Sequence, residues 1–184
     1  MVPVFVVLMS FDKVYCFAGA YLVFTAATIT DYYDGKIARG RNMVSNFGKL
    51  LDPVADKVLI AAAFVMLMGL RDLWIPGWTV IAILAREFLI TGARSLAASE
   101  GLVIAANKWG KTKTVLQMVF IYTFLFLAIV ARALDYWPGY AIPHYQQFLW
   151  YASLAMSVVV ALFTVYSGLQ YARSNWRMLE LGKL

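Results

Sequence analysis

TDYYDGKIARGRNMVSNFGKLLDPVADK, residues 30–57, sets four aspartates inside an otherwise strongly apolar chain. Asp31 and Asp34 are three apart, and Asp52 and Asp56 are four apart, so on helices each pair projects from one face, one turn apart. Two helix ends can thus present four carboxylates to one point. An isolated ionised group in a low-dielectric region costs many kcal/mol, so four together need cations. Carboxylate oxygens are hard ligands suited to Mg²⁺, Mn²⁺ or Ca²⁺, and the sequence holds no His or Cys cluster that would argue for zinc. Two ions are the natural count for four carboxylates, and a pair about 3.5–4 Å apart is a known arrangement for in-line displacement at phosphorus.

The smaller residues of the stretch agree with a phosphorylated ligand. Gly35 follows Asp34 and Ala38 lies one turn beyond it, which leaves a helix face without bulky side chains where a ligand can approach the backbone. Arg39, one turn past Gly35, offers a fork of donors to phosphate oxygens. Gly48 precedes Asp52 by four and clears the facing helix in the same way. Taken singly, each aspartate reads as a helix cap or a solvated side chain, each glycine as packing, and Arg39 as a membrane-side anchor. The joint pattern favours a site.

Written as D-x2-D-G-x2-A-R-x8-G-x3-D-x3-D, residues Asp31, Asp34, Gly35, Ala38, Arg39, Gly48, Asp52 and Asp56 resemble the signature of the CDP-alcohol phosphotransferase family at all of its fixed positions. The resemblance implies an integral membrane enzyme that moves a phosphatidyl or similar group from a CDP-linked donor to an alcohol and releases CMP. It also implies two divalent metal ions, Mg²⁺ or Mn²⁺, held by the four aspartates, with Asp56 as general base, and a nucleotide site drawn from Asp31, Gly35, Ala38, Arg39, Gly48 and Asp52. Relatives are often homodimers, so a homodimer is implied too.

Working outward, the composition fits a membrane. The chain has 184 residues, 62% of them hydrophobic and 14% charged, with a mean hydropathy of +0.72, too apolar for a soluble domain of this size. The reading is an all-α, polytopic bundle of six transmembrane helices forming one domain over residues 1–184. Residues 1–9 are apolar but short of the roughly 20 that a span needs; they read as the second half of a shortened first helix, without the charged start and small-residue cleavage site of a signal peptide. Residues 14–39 form one long helix, 40–46 a polar turn, and 47–70, 75–98, 115–134 and 148–171 further spans. Residues 99–114 read as a polar connection. Cys16 has no partner for an internal disulfide and reads as filler, and His144 as a surface loop residue. Arg86 and Glu87 fall near the middle of a span, where ionisable groups serve either function or bracing.

The net charge of +6 does not point to nucleic acid, because the basic residues gather at helix ends, where lipid head groups and phosphorylated substrates account for them. Sixteen Lys and Arg residues, less Lys13, Arg71 and Arg132 on the opposite side and Arg86 within the membrane, leave twelve on the side of the aspartates. The excess predicts a site facing the cytoplasm, here of a bacterial inner membrane.

The acceptor is read from other segments. REFLITGARSLAASEG, residues 86–101, GKTKTVLQM, residues 110–118, and DPVADK are similar to the bacterial phosphatidylglycerophosphate synthase branch of the family, which implies CDP-diacylglycerol as donor and glycerol 3-phosphate as acceptor. A phosphorylated acceptor needs a cationic pocket near the metals, and Arg94, Lys111 and Lys113 fall on the aspartate side. Those charges do not separate glycerol 3-phosphate from inositol phosphate; phosphatidylglycerol is a further alternative acceptor. The rival from another class is an ion or proton transporter using the intramembrane aspartates, which leaves Gly35, Ala38, Arg39 and Gly48 unexplained.

Overall fold

The structure, a computed structural model, describes the backbone of residues 1–41, 46–99, 108–136 and 144–181, and the side chains of residues 1–31, 33, 57–98, 109–135 and 144–175. The described residues form six helices and no strand: α1 (Val2–Met9), α2 (Val14–Arg41), α3 (Asn46–Met68), α4 (Gly77–Ser99), α5 (Lys108–Tyr136) and α6 (Tyr145–Leu181). Local chemistry sets several ends. Proline in the first turn of α1 removes an N–H that would have no helical partner, and the Ser10 hydroxyl donates to the Val6 carbonyl at the other end. The Thr79 hydroxyl donates to the Pro76 carbonyl where α4 begins. Within the apolar α2, Thr25, Thr28 and Thr30 donate to carbonyls four residues back, so their hydroxyls need no water.

The interior is aromatic where α1, α2, α3 and α5 meet. Phe24 lies between Phe5 and Tyr122, with ring centroids 5.7 and 5.3 Å away, and Phe64 stacks on Phe120 at 5.3 Å. Helix α6 packs chiefly against α4 and α5. The outside is as apolar as the inside: Leu22, Ile81, Leu89, Phe126, Leu162 and Leu169 are exposed, while Gln117, Ser153, Ser157, Thr164 and Ser167 are buried. Small polar residues between helices and large apolar residues outside are the distribution a lipid solvent favours.

Three windows are long and apolar enough to cross a membrane: Val14–Asp31, Trp109–Asp135 and Tyr145–Asn175. The expectation of six spans is therefore met as six helices, three of which qualify by length and composition. In α3 the apolar part is only Lys57–Met68, because its first turns carry Lys49, Asp52, Asp56 and Lys57. In α4 the interruption is Arg86, Glu87 and Arg94.

Two boundaries correct the sequence reading. The connection assigned to residues 99–114 is helical from Lys108 onward, and the last helix runs to Leu181 where residue 171 was expected. Lys and Thr depress hydropathy without opposing a helix strongly, so a hydropathy boundary marks where a span ends and not where the helix does. The early start of α5 puts Lys111 and Lys113 on a helix. His144 precedes α6 with φ of 62° and is exposed.

At one end of the bundle Arg132 closes the loops. Its side chain is 6% exposed, pairs with Asp72 (4%) and with the exposed Asp12, and lies over the Phe17 ring, 5.3 Å from its centroid. Arg71 joins through Asp135 at 2.8 Å. This ties the α1–α2 turn, the α3–α4 turn and the end of α5 into one cluster. Trp74 stacks on Trp150 nearby, with centroids 4.2 Å apart.

Candidate active site

Arg132 and Lys113 are nineteen positions apart on α5, about 28 Å along a helix, and the second ionic centre forms at that other end. Its hub is Glu87 of α4, 2% exposed. The Lys113 ammonium donates to Glu87 Oε1, Gln117 Nε2 donates to the same oxygen at 3.3 Å, Lys57 Nζ lies 3.6 Å from Oε2, and Arg86 Nη1 lies 3.5 Å from Oε1. Glu87 thereby joins α3, α4 and α5. Intramembrane charge is tolerated where such partners exist.

One carboxylate does not balance what surrounds it. A cavity of about 210 Å³ opens beside the hub, lined by Lys57, Arg86, Arg94, Lys111 and Lys113, with Glu87 as the acidic residue among its described lining. Thr91, Thr114, Ser167 and Tyr171 add hydroxyls. The cavity lies below the roughly 300–1,000 Å³ of sites for drug-sized ligands, and its excess of positive charge suits a small anion. Arg94 lies over the Tyr171 ring, 5.2 Å from the centroid. Arg94 Nε and the Tyr171 hydroxyl are buried without a hydrogen-bond partner among the described residues, so donors in the wall remain for an oxyanion.

Arg94, Lys111 and Lys113, singled out in the sequence, line this one cavity. Asp31 is exposed near the middle of α2 and borders a separate space of about 150 Å³ with Met1, Val2, Ala27, Thr28, Leu59 and Met118. Asp34, Gly35, Ala38 and Arg39 lie in the later turns of α2, and Gly48, Asp52 and Asp56 in the first turns of α3; their side chains fall outside the described residues, as do residues 42–45. Among the described residues no group of three or more His, Cys, Asp or Glu is assembled for a metal ion. Two helices joined by four residues carry the carboxylates, and Lys57, next in sequence to Asp56, already belongs to the cationic cavity.

The sequence reading missed the hub as a unit. Arg86 and Glu87 were noted as intramembrane charges, but their partners, Lys57 and Lys113, lie 30 and 26 positions from Glu87. The available signal was the rule that a buried carboxylate needs cations, applied to the basic residues of neighbouring helices. Ser167 and Tyr171 gave no such signal.

A family model for CDP-alcohol phosphatidyltransferase matches residues 1–165. The chain is 42% identical over 163 residues to the CDP-diacylglycerol–glycerol-3-phosphate 3-phosphatidyltransferase of Bacillus subtilis, covering 89% of this chain and 76% of that protein. It is 32% identical over 175 residues to the Escherichia coli protein of that name, covering 93% and 86%. To the Rickettsia bellii protein of that name it is 44% identical over 97 residues, covering 53% and 52%.

Proposed function

Because the chain belongs to the CDP-alcohol phosphatidyltransferase family, we propose that it transfers the phosphatidyl group of CDP-diacylglycerol to glycerol 3-phosphate, giving phosphatidylglycerophosphate and CMP. The observation that carries the choice of acceptor is the cavity lined by five basic side chains and, among the described residues, one carboxylate. A phosphomonoester is the part of glycerol 3-phosphate that such a wall reads, and an alcohol without a phosphate, such as the zwitterion serine or the cation choline, would leave the excess charge unmatched. The relatives' shared name supports glycerol 3-phosphate over inositol phosphate.

In this reading Arg94, Lys111 and Lys113 hold the acceptor phosphate, with Lys57 and Arg86 completing the wall. The guanidinium of Arg94 supplies parallel N–H donors, and its contact with Tyr171 fixes the plane in which it does so. Glu87 keeps Lys57, Arg86 and Lys113 directed at one point. Asp56, beside Lys57 in sequence, takes the proton from the C1 hydroxyl of glycerol 3-phosphate. The hydroxyl oxygen bonds to the lipid-side phosphorus, the bond from that phosphorus to the CMP oxygen breaks, and CMP leaves, with inversion at phosphorus and no covalent enzyme intermediate.

The all-oxygen set of Asp31, Asp34, Asp52 and Asp56 suits two divalent ions, Mg²⁺ or Mn²⁺. Asp31 is exposed at the end of an apolar window. When bound, the ions would supply neutralisation of the pyrophosphate and of the departing CMP. Gly35, Ala38, Arg39 and Gly48 accommodate the cytidine diphosphate. The protein acts as a single domain over residues 1–184 in a bacterial inner membrane, its bundle of six transmembrane helices having a shortened first member, the aspartates facing the cytoplasm, and two copies forming a homodimer.

Purified protein given CDP-diacylglycerol, Mg²⁺ and one acceptor at a time tests the proposal. CMP and phosphatidylglycerophosphate are expected with glycerol 3-phosphate. Faster CMP release with inositol phosphate or phosphatidylglycerol would transfer the assignment to that acceptor. Absence of CMP with every alcohol would reject the enzyme and return the ion transporter.

A further inference from the structure

The cationic cavity has an apolar neighbour. Between α4 and α6 lies a groove of about 480 Å³ whose walls include Ala82, Ala85, Leu89, Val165 and Leu169, and Leu89 and Leu169 are exposed on the outside of the bundle. The two spaces share three residues, Arg86, Ile90 and Tyr171. Of these Arg86 alone carries charge, and three features keep it in the dividing wall. Its Nη2 donates to Ser167 Oγ at 2.8 Å, and its Nη1 lies 3.5 Å from Glu87. Its stem crosses α6 at Gly168, where a Cβ would stand 2.9 Å from Arg86 Cγ, so no residue larger than glycine fits beneath the arginine as it lies. The side chain is 10% exposed, and its Nε is buried without a hydrogen-bond partner among the described residues.

A pocket that reads a phosphate does not by itself distinguish glycerol 3-phosphate from the same headgroup carrying an acyl chain. Both present the same phosphomonoester to Arg94, Lys111 and Lys113. Discrimination requires an element that rejects the chain, and in a bilayer the acylated competitor arrives from the side, where the groove lies. We propose that Arg86 is a specificity-determining partition: seated in the Gly168 niche, it separates the phosphate pocket from the lipid-facing groove, so that the site takes a water-soluble phosphomonoester and rejects one bearing an acyl chain. The inference rests on the reading of the cavity as the acceptor site.

The test uses the purified, lipid-reconstituted protein with CDP-diacylglycerol, Mg²⁺ and glycerol 3-phosphate, and 1-acyl-glycerol 3-phosphate as competitor. The competitor has its C1 oxygen blocked, so it inhibits without reacting. Read as the competitor's Ki divided by the KM for glycerol 3-phosphate, the ratio is expected to fall about tenfold or more in Arg86→Ala, because chain methylenes then gain the groove. The same ratio for inorganic phosphate, which has no chain, stays near its original value. Gly168→Ala, which displaces Arg86 through the added Cβ, lowers the acyl ratio in the same direction. Combined with Arg86→Ala it adds nothing further, since the residue it acts on is gone. If Arg86→Ala does not fold, Gly168→Ala and Ser167→Ala decide the matter. An acyl ratio unchanged in the folded variants, with CMP still released from glycerol 3-phosphate, overturns the partition and leaves the acceptor site standing. A wild-type protein that releases no CMP from glycerol 3-phosphate overturns the acceptor site itself.

Discussion

The two ends of α5 handle buried charge in opposite ways. Near its C-terminal end, two guanidiniums, Arg71 and Arg132, meet three carboxylates, Asp12, Asp72 and Asp135, so that each guanidinium has a carboxylate partner within the protein. Near its N-terminal end, Lys57, Arg86 and Lys113 share the carboxylate of Glu87, and Arg94 and Lys111 line the same cavity with no further carboxylate among the described lining. Arg132 is held by its neighbours and over an aromatic face, whereas Arg94 and Tyr171 keep buried polar atoms without a hydrogen-bond partner among the described residues. A cluster matched in this sense can serve as a brace, since each of its cations already has an anion within the protein. An unmatched one asks for an anion from outside. The contrast sorts the charged residues of the two ends into structural and ligand-binding roles without appeal to their identity.

The largest expected effect lies next to the unmatched end. Asp56→Asn removes the proposed base and is expected to slow CMP release by about 10²- to 10⁴-fold, while thermal unfolding in detergent stays where it was. At the matched end the effect reverses in kind. Arg132→Ala leaves the buried Asp72 with only the longer contact to Arg71, at 3.7 Å, and is expected to cost about 3–5 kcal/mol of stability, seen as early thermal unfolding, with the KM for glycerol 3-phosphate in the folded fraction unchanged. A raised KM there with normal unfolding would erase the distinction between the two ends. Arg94→Ala is expected to raise the KM for glycerol 3-phosphate by about 10- to 100-fold, the range of a lost hydrogen bond to a charged group, with little effect on unfolding. Trp74→Ala, which removes the stack on Trp150 beside the matched end, is the smallest, expected to lose about 0.5–1.5 kcal/mol for the ring pair beyond its buried area, with no kinetic change.

Local pattern carried the helices and the acidic stretch, because both repeat at helical spacing in a single segment. Asp31, Asp34, Asp52 and Asp56 were legible as two pairs before any fold was known, and α2 runs unbroken from Val14 to Arg41 where one long helix was expected. The start of α5 was not legible, since Lys108, Lys111 and Lys113 lower hydropathy while remaining compatible with a helix. Long-range pairing was hidden for a different reason. Arg132 meets Asp12 and Asp72 across 120 and 60 positions, and no local spacing links residues so far apart. Gly168 carried no sequence signal at all; its role appears only when the stem of Arg86 is seen crossing it.

The account depends most on the unmatched cations reading a phosphate. The direct measurement is the rate of CMP release from CDP-diacylglycerol by the purified protein with Mg²⁺, compared between glycerol 3-phosphate and glycerol, two acceptors that offer the same hydroxyl and differ in the phosphate. Release with glycerol 3-phosphate and almost none with glycerol is the predicted result. Equal rates with the two acceptors would contradict it.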